Sequence, residues 1–249
     1  MVIQMKDYSD KDELDFIESL YNEAEDQLKD IYKEEKQNRD ELLQSISNIL
    51  LTYTISNDVM SMTKQERDKE YIRISKIITT FSKKQAKLTE DVITNILTNT
   101  INNTYNFYSY NAKLTDVEKI INENFKGKHF SERVWNNETE VAKQLHRQTQ
   151  EFLKGKINVN QIKKDIETTF NTSAYNSKRL TETEISRCSN SAFDRFCIET
   201  NVKKLRYVAT LDGKLCSDCG QYHDKIFDLN NKIELPRHPM CRCFYTIEQ

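Results

Sequence analysis

A chain of 249 residues with only four glycines and two prolines has few places to turn. An all-β sandwich needs a turn roughly every ten residues, and Gly and Pro supply the backbone angles such turns demand. The shortage therefore favours long helices, in one large or two modest domains able to bury a real core. Hydrophobic residues make up 37% of the chain and charged residues 31%. No apolar run approaches the roughly 18 residues a membrane helix requires. The opening MVIQMKDYSD lacks the basic-then-apolar order of a signal peptide, so a cytoplasmic start and no membrane partner are expected. The net charge is only −2, yet residues 1–60 hold 15 acidic against 6 basic side chains. Phosphates repel such an arm; a basic protein partner suits it, or plain solvent on an exposed helix face.

Leu14, Ile17, Leu20, Tyr21, Ala24, Leu28 and Ile31 recur at three- and four-residue steps, the pattern of an amphipathic helix. A second series (Leu42, Leu43, Ile46, Ile49, Leu50, Tyr53) resumes after the charged run KEEKQNRDE, read as an exposed helical stretch. Thr63 with Glu66 makes a capping box that opens a helix to about Lys84, and Thr89 is expected to cap another through Ile101. Thr115 with Glu118 opens a short helix ending near Gly127. Ser131 opens a longer one stopped by Gly155, and residues 160–170 and 173–200 read as two more. The pattern then changes to strand-like segments at 204–210, 226–229 and 244–247, with Asp212-Gly213 as a turn. The expected fold is α+β and predominantly α-helical: long N-terminal helices, a helical middle and a small C-terminal β-hairpin module with clustered Cys and His. The domain boundary is drawn between an acidic, partner-binding helical arm at 1–112 and the remainder at 113–249.

Six cysteines in a reducing compartment read as buried thiols or metal ligands rather than disulfides. Cys188 and Cys197 are nine residues apart in a helical stretch, too far along its axis to share an ion. The other four crowd into the last 34 residues. Cys216 and Cys219 form C-x-x-C, which lets two thiolates reach one ion from a tight turn. His238, Cys241 and Cys243 form a second cluster, and His223 lies between. A hairpin would bring the clusters together as in zinc ribbons, and thiolate and imidazole donors at tetrahedral geometry suit zinc. The expected ligands are Cys216, Cys219, His238 and either Cys241 or Cys243, because a C-x-C pair strains a shared site. The competing reading is a reduced thiol cluster packed around His238. No thioredoxin-like βαβ pattern surrounds the C-x-x-C, which speaks against a redox-active pair.

These motifs fall in a recognisable order. Arg179-Leu180-Thr181-Glu182-Thr183-Glu184 matches an R-L-x-x-T-E helix element, and Ala209-Thr210-Leu211-Asp212 a strand ending in T-L-D. The C-x-x-C, the aromatic in Lys225-Ile226-Phe227, and the closing His238-Pro239-Met240-Cys241-Arg242-Cys243 follow. Upstream, Phe130-Ser131-Glu132-Arg133-Val134-Trp135 looks like an F-S-x-R-x-W opening. Together they resemble the phage head morphogenesis family of minor capsid proteins, the MuF-type domain, over roughly residues 125–245. The chain departs from the family in its polar segment after Cys219, where many members carry a plainer L-D-G-K turn. The first 110 residues carry no family signature.

The resemblance implies a non-enzymatic structural role in the virion of a tailed bacteriophage. It implies a low-copy head component, made in the host cytoplasm, that associates with the portal protein and other head or scaffold proteins during assembly. It also implies assistance to phage DNA during packaging or ejection. Nothing in the residues suggests a catalytic constellation: no Gly-rich phosphate loop and no H-E-x-x-H occur. Arg179 and Glu184 are expected to form a structural ion pair anchoring the long helix to the strand. The rival reading is a zinc-knot nucleic-acid-binding module that contacts DNA without sequence preference through Lys203, Lys204 and Arg206. Against it, Asp212, Asp218, Asp224 and Asp228 bring the same segment close to neutrality.

Overall fold

Neither Gly nor Pro occurs before Gly127, and the first helices run uninterrupted as a result. In the computed structural model, which describes residues 8–111, 113–210 and 217–248, α1 spans Asp10–Thr52 and α2 spans Lys64–Phe107. Reciprocal caps start both. Asp12 N–H donates to Ser9 Oγ while Ser9 N–H donates to the Asp12 carboxylate. Thr63 N–H donates to Glu66 Oε2 at 2.7 Å and Glu66 N–H to Thr63 Oγ1 at 3.3 Å, the capping box read from the sequence. Thr89 caps nothing. It is buried inside α2, where its hydroxyl accepts from Gln85 Nε2 at 3.4 Å. A cap needs the backbone to leave the helical region first, and no residue near position 89 forces that.

Between α1 and α2 lies a two-stranded ribbon, β1 (Ile55–Ser56) and β2 (Val59–Met60), paired antiparallel. Asn57 and Asp58 both take positive φ, 50° and 63°, as a two-residue hairpin of matching twist requires. Next come α3 (Leu114–Ile121), α4 (Phe130–Leu153) and α5 (Val159–Glu199). The cap of α3 is Lys113 N–H on Asp116 Oδ2 at 3.3 Å rather than the Thr115–Glu118 pair. Gly155 stops α4 as expected. Its φ is +68°, and a Cβ there would meet the Met60 carbonyl oxygen at 2.5 Å. The two helices expected at 160–170 and 173–200 are one, α5.

The change of periodicity near residue 204 marks the sheet. Strands β3 (Lys204–Val208), β4 (Ile226–Asp228) and β5 (Phe244–Ile247) form an antiparallel sheet in the order β4-β3-β5. Leu205 faces Phe227 on one side and Ile247 on the other, and Tyr207 faces Tyr245. The one-turn helix α6 (Ser217–Gly220) lies between β3 and β4. The Asp212-Gly213 turn and Cys216 lie outside the described residues. The fold is thus mostly helical with a small C-terminal sheet, α+β as the sequence predicts.

The chain divides into two compact units, and they do not follow the 112/113 boundary. One comprises residues up to 27, 93–130 and 179 onward; the other comprises 28–92 and 131–178. The first has an aromatic and sulfur-rich core that includes Tyr108, Phe193, Phe196, Leu205, Tyr207, Tyr245 and three of the C-terminal cysteines. The Asn- and Tyr-rich end of α2 is part of it: Tyr108 stacks on Phe196 with ring centroids 5.0 Å apart. The second unit has a mainly aliphatic core, with Leu42, Ile46, Ile74, Ile78, Leu145, Ile162 and Ile166 around Phe152. No helix among the described residues is long and apolar enough to cross a membrane.

Candidate metal centre

The closing segment His238–Cys243 is fastened residue by residue to its surroundings. Met240 takes a left-handed φ of 59°, which turns the chain and aims its N–H at Thr183 Oγ1 of α5, 3.0 Å away. Two residues on, Arg242 Nη2 donates to Glu182 Oε2 at 3.2 Å, and its guanidinium lies 4.4 Å above the Tyr21 ring. The Arg242 carbonyl accepts from Thr210 Oγ1 at 2.7 Å, and the Cys243 carbonyl from Asn190 Nδ2 at 3.4 Å. These anchors carry Cys241 and Cys243 to Cys219, which α6 presents from the other side of the segment.

The sulfurs of Cys219, Cys241 and Cys243 all lie within 4.8 Å of one another, and all three residues are buried. Cys219 Sγ is 4.0 Å from Cys241 Sγ and 3.3 Å from His238 Nε2. Zinc–sulfur bonds of about 2.3 Å at tetrahedral angles place two sulfurs about 3.8 Å apart, close to what the free thiols already show. His238 Nδ1 sits 2.9 Å from the Pro239 carbonyl. A proton on Nδ1 satisfies that contact and leaves the Nε2 lone pair toward the sulfurs, the tautomer a ligating histidine uses.

The electrostatics split the pair Cys241 and Cys243. The hydrogen bond with Cys243, ahead of backbone N–H groups and His238, holds the Cys241 thiol well below the usual thiol range. The same bond, with burial, pushes Cys243 up. Tyr207 Oη is fully buried, has no oxygen or nitrogen partner among the described residues, and lies beside Cys243 and Cys219. A buried hydroxyl in that position is suited to donate O–H···S to a thiolate. Three buried thiols and one imidazole are a donor set for a thiophilic ion, with the Tyr207 hydroxyl as a hydrogen-bonding support to the sulfurs. Cys219, Cys241 and Cys243 lie close enough together to hold a metal ion.

Of the ligands expected from sequence, the structure brings Cys219, His238, Cys241 and Cys243 together, while Cys216 lies outside the described residues. Both members of the C-x-C reach the cluster instead of one. Strand β5 begins only at Phe244, so residues 241–243 are free of the alternation of a regular strand. His223 is used elsewhere: its Nδ1 accepts from Ala209 N–H at 3.3 Å, and its Nε2 faces Asp224 at 3.6 Å. Cys188 and Cys197 are fully buried in separate places, and burial raises both thiols above the ordinary range.

The Arg179–Glu184 pair does not form. Glu184 binds Arg187 at 2.6 Å, three residues along α5, and both side chains are buried. Five residues of helix turn Arg179 about 140° away from Glu184, and Arg179 is exposed. Arg187 also donates to the Ile120 carbonyl at 2.8 Å and reaches Cys188 Sγ at 3.1 Å. Among the cations suggested for nucleic acid, Arg206 is held by Asp224 at 3.1 Å, Glu248 at 3.5 Å and Asp10. Lys203 and Lys204 are exposed. Sequence reasoning overlooked Tyr207 and Thr183 as supports of the cluster. The alternation of β3, which puts Tyr207 on the same face as buried Leu205, was the available signal for the first.

No family model, curated protein or solved structure matches this chain.

Proposed function

We propose that this protein is a non-enzymatic minor head component of a tailed bacteriophage, bound at the portal during assembly, with a zinc-stapled C-terminal module. What supports the reading is that three of the stretches carrying the family resemblance, the helix element at 179–184, the C-x-x-C and the closing H-P-M-C-R-C, meet one another in space. The T-E-T-E element supplies Glu182 to Arg242 and Thr183 to Met240 of the H-P-M-C-R-C motif. The C-x-x-C supplies Cys219 to Cys241 and Cys243 of that same motif. A motif set that closes one module on itself is what a structural domain needs. A catalytic site would instead present reactive groups in a cleft. Zinc fits because the donors are thiolates and imidazole, and because filling such a cluster stabilises a small sheet that has little apolar surface of its own.

The test is co-expression of the full chain with the portal protein of the same phage, followed by size separation of the portal ring. The expected result is co-migration with the ring, and about one zinc per chain by elemental analysis. A portal ring that assembles without retaining this chain, together with its absence from purified heads, overturns the assembly role. Zinc-free protein of unchanged thermal stability overturns the zinc staple while leaving the assembly role to stand or fall on the ring.

A further inference from the structure

The helical unit of residues 28–92 and 131–178 buries two carboxyl groups against each other. Glu35 of α1 and Glu138 of α4 are each only 4% exposed. Ser173 of α5 donates its hydroxyl to Glu35 Oε1 at 2.8 Å, and it also hydrogen-bonds Glu138. Three helices therefore converge on one serine and two carboxyls. Among the described residues no positive charge acts on the titration of either carboxyl. On α2, Lys84 is spent on Glu34 of α1 at 2.9 Å, and Lys83 lines the same surface cavity as Glu138 but does not shift the titration of either carboxyl. Arg39 of α1 pairs with the adjacent Asp40, and Lys143 of α4 with Glu140. The nearest polar groups from α1 and α2, Asn38 and Gln85, are neutral and bonded to each other at 3.0 Å.

Two carboxylates without a cation cannot both ionise inside a protein core. We propose that Glu35, Glu138 and Ser173 form a protonation clamp across α1, α4 and α5, closed while the carboxyls keep their protons and loosened as pH rises past neutrality. The inference is independent of the proposed virion role. Burial pushes Glu35 up to about 8 and Glu138 up to about 7, with Ser173 pulling each back down, and the charge of Glu138 raising Glu35 further. The sign follows directly. Both folded-state values stand above the roughly 4.3 of an unfolded Glu, so the stabilisation is complete below about pH 4.3 and is lost as pH rises through about 7 to 8. Each retained proton costs the folding equilibrium about tenfold per pH unit across that window.

The experiment is chemical unfolding of the full chain at pH 5 to 9, with hydrogen exchange resolving the segments of α1, α4 and α5 in this unit. Wild type is expected to lose stability steeply over the window. Glu35→Gln and Glu138→Gln, which mimic the neutral acid, should each flatten the slope by about one proton and surpass wild type at pH 8. Glu13, buried against Tyr108 in the other unit and raised to about 7, supplies a background that neither variant removes. A carboxyl-carbon NMR titration supplies a readout free of folding defects: three glutamates should remain protonated at pH 6, Glu13 and the two of the clamp, which Glu35→Gln and Glu138→Gln assign by removing one signal each. Both carboxyls titrating below pH 5, or slopes unchanged in both variants, would overturn the clamp.

Discussion

The two compact units solve the problem of a stable core in opposite ways. The helical unit buries a continuous set of Leu, Ile and Phe side chains and closes mainly by apolar area. The other unit holds three strands of five, three and four residues, too short to close a core by themselves. It compensates with interlocked aromatic rings and with sulfur donors gathered at one point: Tyr207 packs edge-on against Tyr245 at 5.3 Å, and Tyr108 stacks on Phe196. The difference teaches where each unit is vulnerable. Apolar burial is spread over many contacts, whereas a ligand cluster concentrates stability in a few atoms.

The largest expected effect is therefore removal of the cluster. If the cluster holds zinc as proposed, chelation at neutral pH, or Cys219→Ser, should release the stabilisation such an ion supplies, of order 10 kcal/mol in small metal-folded modules. Limited proteolysis should then cut within residues 204–248 while residues 28–92 and 131–178 keep their protection. Equal loss of protection in both units would break the contrast. Next is Phe152→Ala in the aliphatic core, where the ring is fully buried. A loss of about 3–5 kcal/mol on denaturant unfolding is expected, with any bound metal retained. Smallest is Thr183→Val, which keeps the shape but leaves the Met240 N–H without its 3.0 Å partner. A cost of about 1–3 kcal/mol is expected, seen as faster hydrogen exchange at residues 240–243 and weaker metal retention. An exchange change confined to α5 would show that Thr183 supports only its own helix.

Much of this was legible along the chain. The strands read at 204–210, 226–229 and 244–247 are the strands of the sheet to within two residues, because alternation is a local property of the backbone. The capping box at Thr63 and the stop at Gly155 were legible for the same reason. Other elements were misread because short signals were weighed without their surroundings. Thr89 has the chemistry of a cap but sits where the helix never breaks, and residues 170–173 hold no breaker at all. The ribbon at 55–60 was missed although Asn57-Asp58 is a turn pair that tolerates positive φ.

What the sequence determined alone was the scarcity of turns, hence the long helices, and the supply of thiol and imidazole donors in the last 34 residues. Periodicity and residue chemistry are written one position at a time. Only the tertiary structure decided that Phe107, Tyr108 and Tyr110 share a core with the C-terminal strands, that both cysteines of the C-x-C join Cys219, and that Glu184 pairs with Arg187. It alone set Glu35 beside Glu138, 103 positions along the chain. Those outcomes depend on which surfaces find each other in three dimensions, where burial and partner geometry outweigh any local preference.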